Sequence, residues 1–85
     1  MTTIHNDISQ NVYNLLLNEN LPVEITKQKN QSIIECDAPQ FKVVFTNKSM
    51  KVVDRWGDTE KLNHVIEFSP PALVRQIDRI VSEAG

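Results

Sequence analysis

Apolar residues recur along this chain with two different periods, and the change of period divides it into a helix, a set of strands and a second helix. Ile8, Val12, Leu15 and Leu16 fall at i, i+4, i+7 and i+8, with Ile4 extending the stripe. That spacing predicts a helix over about Ile4 to Leu17 with one buried face. Asn18, Glu19 and Asn20 close it, and Pro22 prevents its continuation. Near the other end, Ser69 is placed to cap a helix whose first turn holds Pro70 and Pro71, where no backbone N–H is missed. Leu73, Ile77, Ile80, Val81 and Ala84 then make one apolar face, and Arg75, Asp78, Arg79 and Ser82 make the wet one.

Between the helices the period is two, and short turns bring like faces together. A four-residue loop at Gln28–Gln31 sets Ile25 opposite Ile34 and Val23 opposite Cys36. A two-residue turn at Ala38-Pro39 sets Cys36 opposite Phe41 and Ile34 opposite Val43. Another at Asn47-Lys48 sets Phe45 opposite Met50 and Val43 opposite Val52. All three agree on one inward face, which a slip of one residue in any turn destroys. Residues 61–68 fit either a helix or a strand. A five-residue loop at Gly57–Lys61 favours the strand: it pairs Trp56 with Leu62, Val52 with Ile66, Met50 with Phe68, Lys51 with Glu67, and Val53 with Val65.

The expected fold is therefore α+β and a single domain over 1–85. It is an antiparallel meander of four to five strands, flanked by an N-terminal and a C-terminal helix packed on one face. The order of helix, strands and helix is similar to that of double-stranded-RNA-binding domains. The last helix opens on Ser69-Pro70-Pro71 where those domains carry a lysine-rich start, so the likeness implies no function.

Totals narrow the picture modestly. The 85 residues are 40% hydrophobic and 24% charged, which suits a folded globule. Nine basic and eleven acidic side chains give a net charge of −2 without a run of either sign, so no long-range field draws phosphate backbones or anionic lipid. One cysteine, Cys36, allows no internal disulfide. Met1 to Asp7 lacks the basic start and apolar run of a signal peptide, and no apolar run is long enough to span a membrane. The expected location is cytoplasmic.

Few residues offer chemistry. The inward row runs Val23, Cys36, Phe41, Asp54, His64 in the expected register. It holds Cys36 and His64 three strands, roughly 14 Å, apart, whereas a nucleophile and its base need about 3 Å. Cys36 among apolar neighbours reads as a small core residue. Asp54 facing His64 is the one acid–imidazole pair in the pattern. It reads as a polar pair closing the sheet end, since no nucleophile or oxyanion donor converges on it. Metal-ligand spacing and a glycine-rich phosphate loop are both missing. The chain is expected to be no enzyme and to need no cofactor or metal.

What remains is surface. The outward face of the sheet holds Glu24, Thr26, Ile33, Glu35, Lys42, Val44, Lys51, Val53 and Val65. Ile33, Val44, Val53 and Val65 form an aliphatic centre, with Lys42, Lys51, Glu35 and Glu67 as a charged rim. Trp56 follows Arg55 in the adjoining loop and either closes the core over Leu62 or anchors a partner. The leading expectation is a non-catalytic protein-binding module, an adaptor or inhibitor of the kind phages and plasmids encode, or a small self-associating protein. It would act through Ile33, Val44, Val53, Val65, Lys42, Lys51, Trp56 and Arg55. The alternative is nucleic-acid binding by Lys42, Lys51 and Arg55 with the loop lysines Lys27, Lys29, Lys48 and Lys61.

Overall fold

The computed structural model describes residues 4–37, 40–54, 56–57 and 59–84. Helix α1 (Ile4–Asn18) leads into strands β1 (Val23–Lys27), β2 (Ser32–Asp37), β3 (Gln40–Phe45), β4 (Ser49–Asp54) and β5 (Thr59–Asn63). A short 3-10 turn (Val65–Glu67) then precedes helix α2 (Pro70–Ala84). The strands form one antiparallel sheet in sequence order, β1-β2-β3-β4-β5. The fold is α+β with a β-meander, as the pattern predicts.

Helix α1 ends where its sequence stops supplying apolar positions. Asn20 takes a left-handed φ of 63°. Its N–H donates to Leu17 O at 2.9 Å, and the Leu21 N–H donates to Leu16 O at 3.3 Å. This Schellman pairing satisfies two carbonyls of the last turn. It also brings Leu21 against the core beside Leu16. Helix α2 starts as its sequence predicts: Ser69 Oγ accepts from the Ala72 N–H at 3.4 Å, with Pro70 and Pro71 inside the first turn.

The first three hairpin registers are those the alternation predicts. Val23 faces Cys36 and Ile25 faces Ile34; Cys36 faces Phe41 and Ile34 faces Val43; Val43 faces Val52 and Phe45 faces Met50. The Gln28–Gln31 loop closes through Gln28 N–H to Gln31 O at 2.8 Å. The Asn47-Lys48 turn closes through Thr46, whose N–H donates to Ser49 O at 2.9 Å and whose Oγ1 accepts from the Ser49 N–H at 3.0 Å. The Ala38-Pro39 turn lies outside the described residues.

The fourth hairpin departs from expectation by six residues. Met50 faces Leu62 in place of Phe68, Val52 faces Glu60 in place of Ile66, Lys51 faces Lys61 in place of Glu67, and Val53 faces Thr59 in place of Val65. The cause is the tight turn after β4. The Gly57 N–H donates to Asp54 O at 3.0 Å, and the Trp56 N–H donates to Asp54 Oδ1 at 2.9 Å. Gly57 adopts a φ of 82° with nothing near its missing Cβ, so backbone conformation is what calls for glycine there. A turn closed by a left-handed glycine starts the return strand at once. The apolar segment that the alternation places in the strand is thereby freed to fold back. Its Val65 N–H donates to Lys48 O at 3.3 Å, and Val65 is fully buried.

Both helices lie on one face of the sheet, α1 against β1, β2 and β3 and α2 against β4, and they also touch each other. The core between the layers holds Val12, Leu16, Val23, Ile34, Cys36, Phe41, Val43, Phe45, Met50, Val52, Val65, Leu73, Val74 and Ile77. Strand β5 contributes only half-buried Leu62 to it. Glu60 sits on the same inward side of that edge strand and reaches Arg79 of α2 at 3.5 Å, both about half exposed. An exposed pair of this kind adds at most about 1 kcal/mol, but an inward acid on an edge strand discourages unwanted edge pairing. In the groove between the helices, burial pushes the Asp78 carboxyl above its ordinary range. A carboxyl raised in the folded state stabilises the fold less as pH rises through that range.

Candidate functional site

With the helices confined to one face, no described element covers the other face of the sheet, and its residues can be read row by row from the register. One row runs Glu24, Glu35, Lys42, Val53, Thr59 from β1 to β5. The next runs Thr26, Ile33, Val44, Lys51, Lys61. Ile33 and Val44 are direct cross-strand neighbours, and Val53 stands diagonally from Val44, so the three make one oblique aliphatic stripe. Direct neighbours of this kind lie about 5 Å apart and diagonal ones about 7–8 Å. All three are half-buried, whereas Lys42, Lys51, Lys61, Glu24 and Glu35 are exposed.

Charge is segregated about this stripe. Glu24 faces Glu35 across β1 and β2, and Lys51 faces Lys61 across β4 and β5. Like charges directly opposite each other are mutually unfavourable. The Glu35–Lys42 step between β2 and β3 is the favourable contrast. Among the described residues, none of these five is in an ion pair. The basic half opens into a shallow groove of about 550 Å³ lined by Ile33, Val44, Lys42, Lys51 and Lys61 with the hydroxyls of Thr46 and Thr59.

The structure thus brings together five of the residues singled out for partner binding: Ile33, Val44, Val53, Lys42 and Lys51. Val65 is removed from the set. It is 0% exposed and belongs to the core, because the return strand pairs Thr59 with Val53 and leaves Val65 in the turn below. Glu67 is exposed but lies in that turn, not opposite Lys51. Trp56 does not close the core over Leu62. It is 58% exposed at the end of β4, where the Asp54 turn holds its backbone. Arg55 lies outside the described residues. Lys61, expected as a loop lysine, instead lies within β5 and is placed opposite Lys51 by the shifted register. The Asp-x-x-Gly spacing at Asp54–Gly57 is the signal that finds it, since it marks a tight hairpin turn.

The Asp54–His64 pair does not form. His64 follows β5 in a left-handed conformation, φ 57°, beyond the row of Ser49 and Asn63. Asp54 ends β4 at its other extremity, about 17 Å away at the usual rise per residue. Cys36 shares the Asp54 end of the sheet and is 2% exposed. Among the described residues, no three histidine, cysteine, aspartate or glutamate side chains converge as metal ligands. No described helix is long and apolar enough to cross a membrane.

These positions make a prediction about Cys36. Cys36→Ala and Cys36→Ser are each expected to lower stability by about 1–3 kcal/mol, as for other substitutions in packed interiors, with partner binding unchanged. Denaturant melts beside a binding assay check it. A folded, stable variant that lost binding would give the thiol a functional role.

No known protein family matches the chain, and no curated protein and no solved structure is significantly similar to it.

Proposed function

We propose that this protein is a non-catalytic protein-binding module that engages its partner through the outer face of the sheet. The observation that carries the reading is the stripe of Ile33, Val44 and Val53 left uncovered by both helices and bordered by charges that form no ion pair among the described residues. An apolar centre with a polar rim is the anatomy of a protein interface. The apolar part drives association, and the lysines and glutamates set orientation more than affinity. Trp56, exposed at the same sheet end as Val53 and Thr59, supplies an aromatic anchor at the margin. The separation of Asp54 from His64 and the burial of Cys36 support a role in binding over catalysis. A cytoplasmic setting, where a lone buried thiol stays reduced, fits the same reading.

The face suits a protein better than a nucleic acid. Its two glutamates share the surface with the lysines, and among the described residues its strand positions carry no aromatic ring on which bases stack.

The test is Val44→Asp combined with Val53→Lys. Neither residue is in the core, so the double variant is expected to fold, with a loss of about 1 kcal/mol per site. Its circular dichroism is expected to match the parent's. Association is expected to vanish, read by quantitative comparison of what the immobilised parent and the immobilised variant retain. A folded variant that retains every partner as well as the parent refutes the reading. If instead a labelled single-stranded oligonucleotide binds with a steep salt dependence, the lysines serve phosphates.

A further inference from the structure

The charges of the outer face point to its occupant. The acidic pair Glu24/Glu35 lies at the β1–β2 end of one row, and the basic pair Lys51/Lys61 lies at the β4–β5 end of the next. The two pairs are diagonally opposite, with Lys42 and Val44 of the central strand between them. Resting on the protein-binding reading above, we propose that this face is self-complementary and that its partner is a second copy of the chain.

The geometry follows from the rows. A two-fold axis lying in the plane of the face, inclined to the strands and passing between Lys42 and Val44, exchanges the two corners. It sets Glu24 and Glu35 of each copy over Lys51 and Lys61 of the other, and it lays Ile33 over Val44. The strands of the two copies then cross at roughly 50°, between the aligned and the orthogonal packings of sheet on sheet, and an interface repeated by a two-fold axis is the commonest kind. Each like-charge pair, unfavourable within one chain, becomes half of a favourable quartet. No third molecule is needed to neutralise either end. A partner of one sign would satisfy one corner and oppose the other, which is why a second copy fits better than an acidic or a basic protein.

The dimer is expected to be weak. Five strands at about 4.8 Å and about 17–20 Å long give a footprint on the order of 400 Å², roughly half of the ~800 Å² per partner that a standard interface buries. Association should therefore appear only as concentration rises, and it should weaken as salt screens the rim.

The test is a charge swap read by sedimentation equilibrium. Lys51→Glu with Lys61→Glu makes both corners acidic, and Glu24→Lys with Glu35→Lys makes both basic. All four positions are exposed, so both variants are expected to fold, which circular dichroism checks. Lys51→Gln with Lys61→Gln is the milder substitute should a reversed chain fail to fold, and it is expected to weaken the dimer in part. The proposal expects a concentration-dependent parent dimer and a loss of about tenfold or more in self-association for each reversed variant. An equimolar mixture of the two reversed variants should restore association, because both corners are again complementary. A parent that stays monomeric up to millimolar concentration overturns the proposal. Reversed variants that dimerise as tightly as the parent also overturn it, since another face must then be responsible. Either failure leaves the protein-binding reading standing if Val44→Asp with Val53→Lys still abolishes capture of a different protein.

Discussion

Ile34→Ala and Ile77→Ala are each expected to cost about 2–5 kcal/mol of folding stability, the range for large aliphatic truncations in packed cores. Ile34 stands on the inward face between Ile25 and Val43, and Ile77 projects from α2 into the same layer; both are 0% exposed. The side chain lost in either case leaves a cavity bounded by residues from the sheet and from a helix, which cannot both collapse into it. A domain of this size holds about 4–13 kcal/mol in total, so one substitution removes a large share. Urea denaturation is the check: the midpoint should fall while its slope stays constant. Losses below about 0.5 kcal/mol, as at exposed sites, would contradict the assignment of the inward face.

Val65→Asp is expected to be the most damaging single change on the return segment, at about 3–5 kcal/mol, because it buries a charge without a partner. Val65 is 0% exposed in the short turn that follows β5, and its backbone N–H is tied to Lys48 O. Val53→Asp, on the bare face, is expected to cost only about 1 kcal/mol through lost strand preference. The contrast separates two arrangements of one sequence, since a register pairing Val53 with Val65 places both side chains on the same surface. Equal losses at the two sites in parallel melts would favour that register over the observed one.

The sequence carried the fold wherever its pattern was redundant. In β1 to β4, inward positions such as Val23, Ile34, Val43 and Met50 alternate with outward ones that are polar except at Ile33, Val44 and Val53, and each hairpin constrains the next. A slip of one residue between β2 and β3 sets Ile34 against Lys42 or Val44 of the outer face. Both helices were equally legible, since their stripes and their ends, Asn20 with Pro22 and Ser69 with Pro70, give the same boundaries. Redundancy fails at β5. That strand is an edge, Leu62 is its one apolar residue, and Glu60 occupies an inward position that apolar alternation assigns to a hydrophobe. The nearby run Val65-Ile66 fits the apolar face better and favours a pairing six residues beyond the observed one. The backbone decides the matter at Asp54 and Gly57, through an aspartate that accepts from its own turn and a glycine with positive φ.

The same misplacement shaped the candidate site. Ile33, Val44, Val53, Lys42 and Lys51 depend on the three secure hairpins, and they gather where the alternation puts them. Val65, Glu67 and the Asp54–His64 pair depend on the fourth, and all of them move. The charge segregation also became legible only with the observed register, because Lys61 must face Lys51 for the basic corner to exist.

Methyl-resolved NMR with a soluble paramagnetic agent tests the central claim most directly, because it reads both faces of the sheet in one sample. At low concentration, relaxation should be strongly enhanced at the methyls of Ile33, Val44 and Val53 and little changed at Ile34, Val43, Val52 and Val65. When the outer face is occupied, the enhancement at the first three should disappear. Outer methyls as protected as the core in the isolated chain, or still fully enhanced in the associated state, would contradict it.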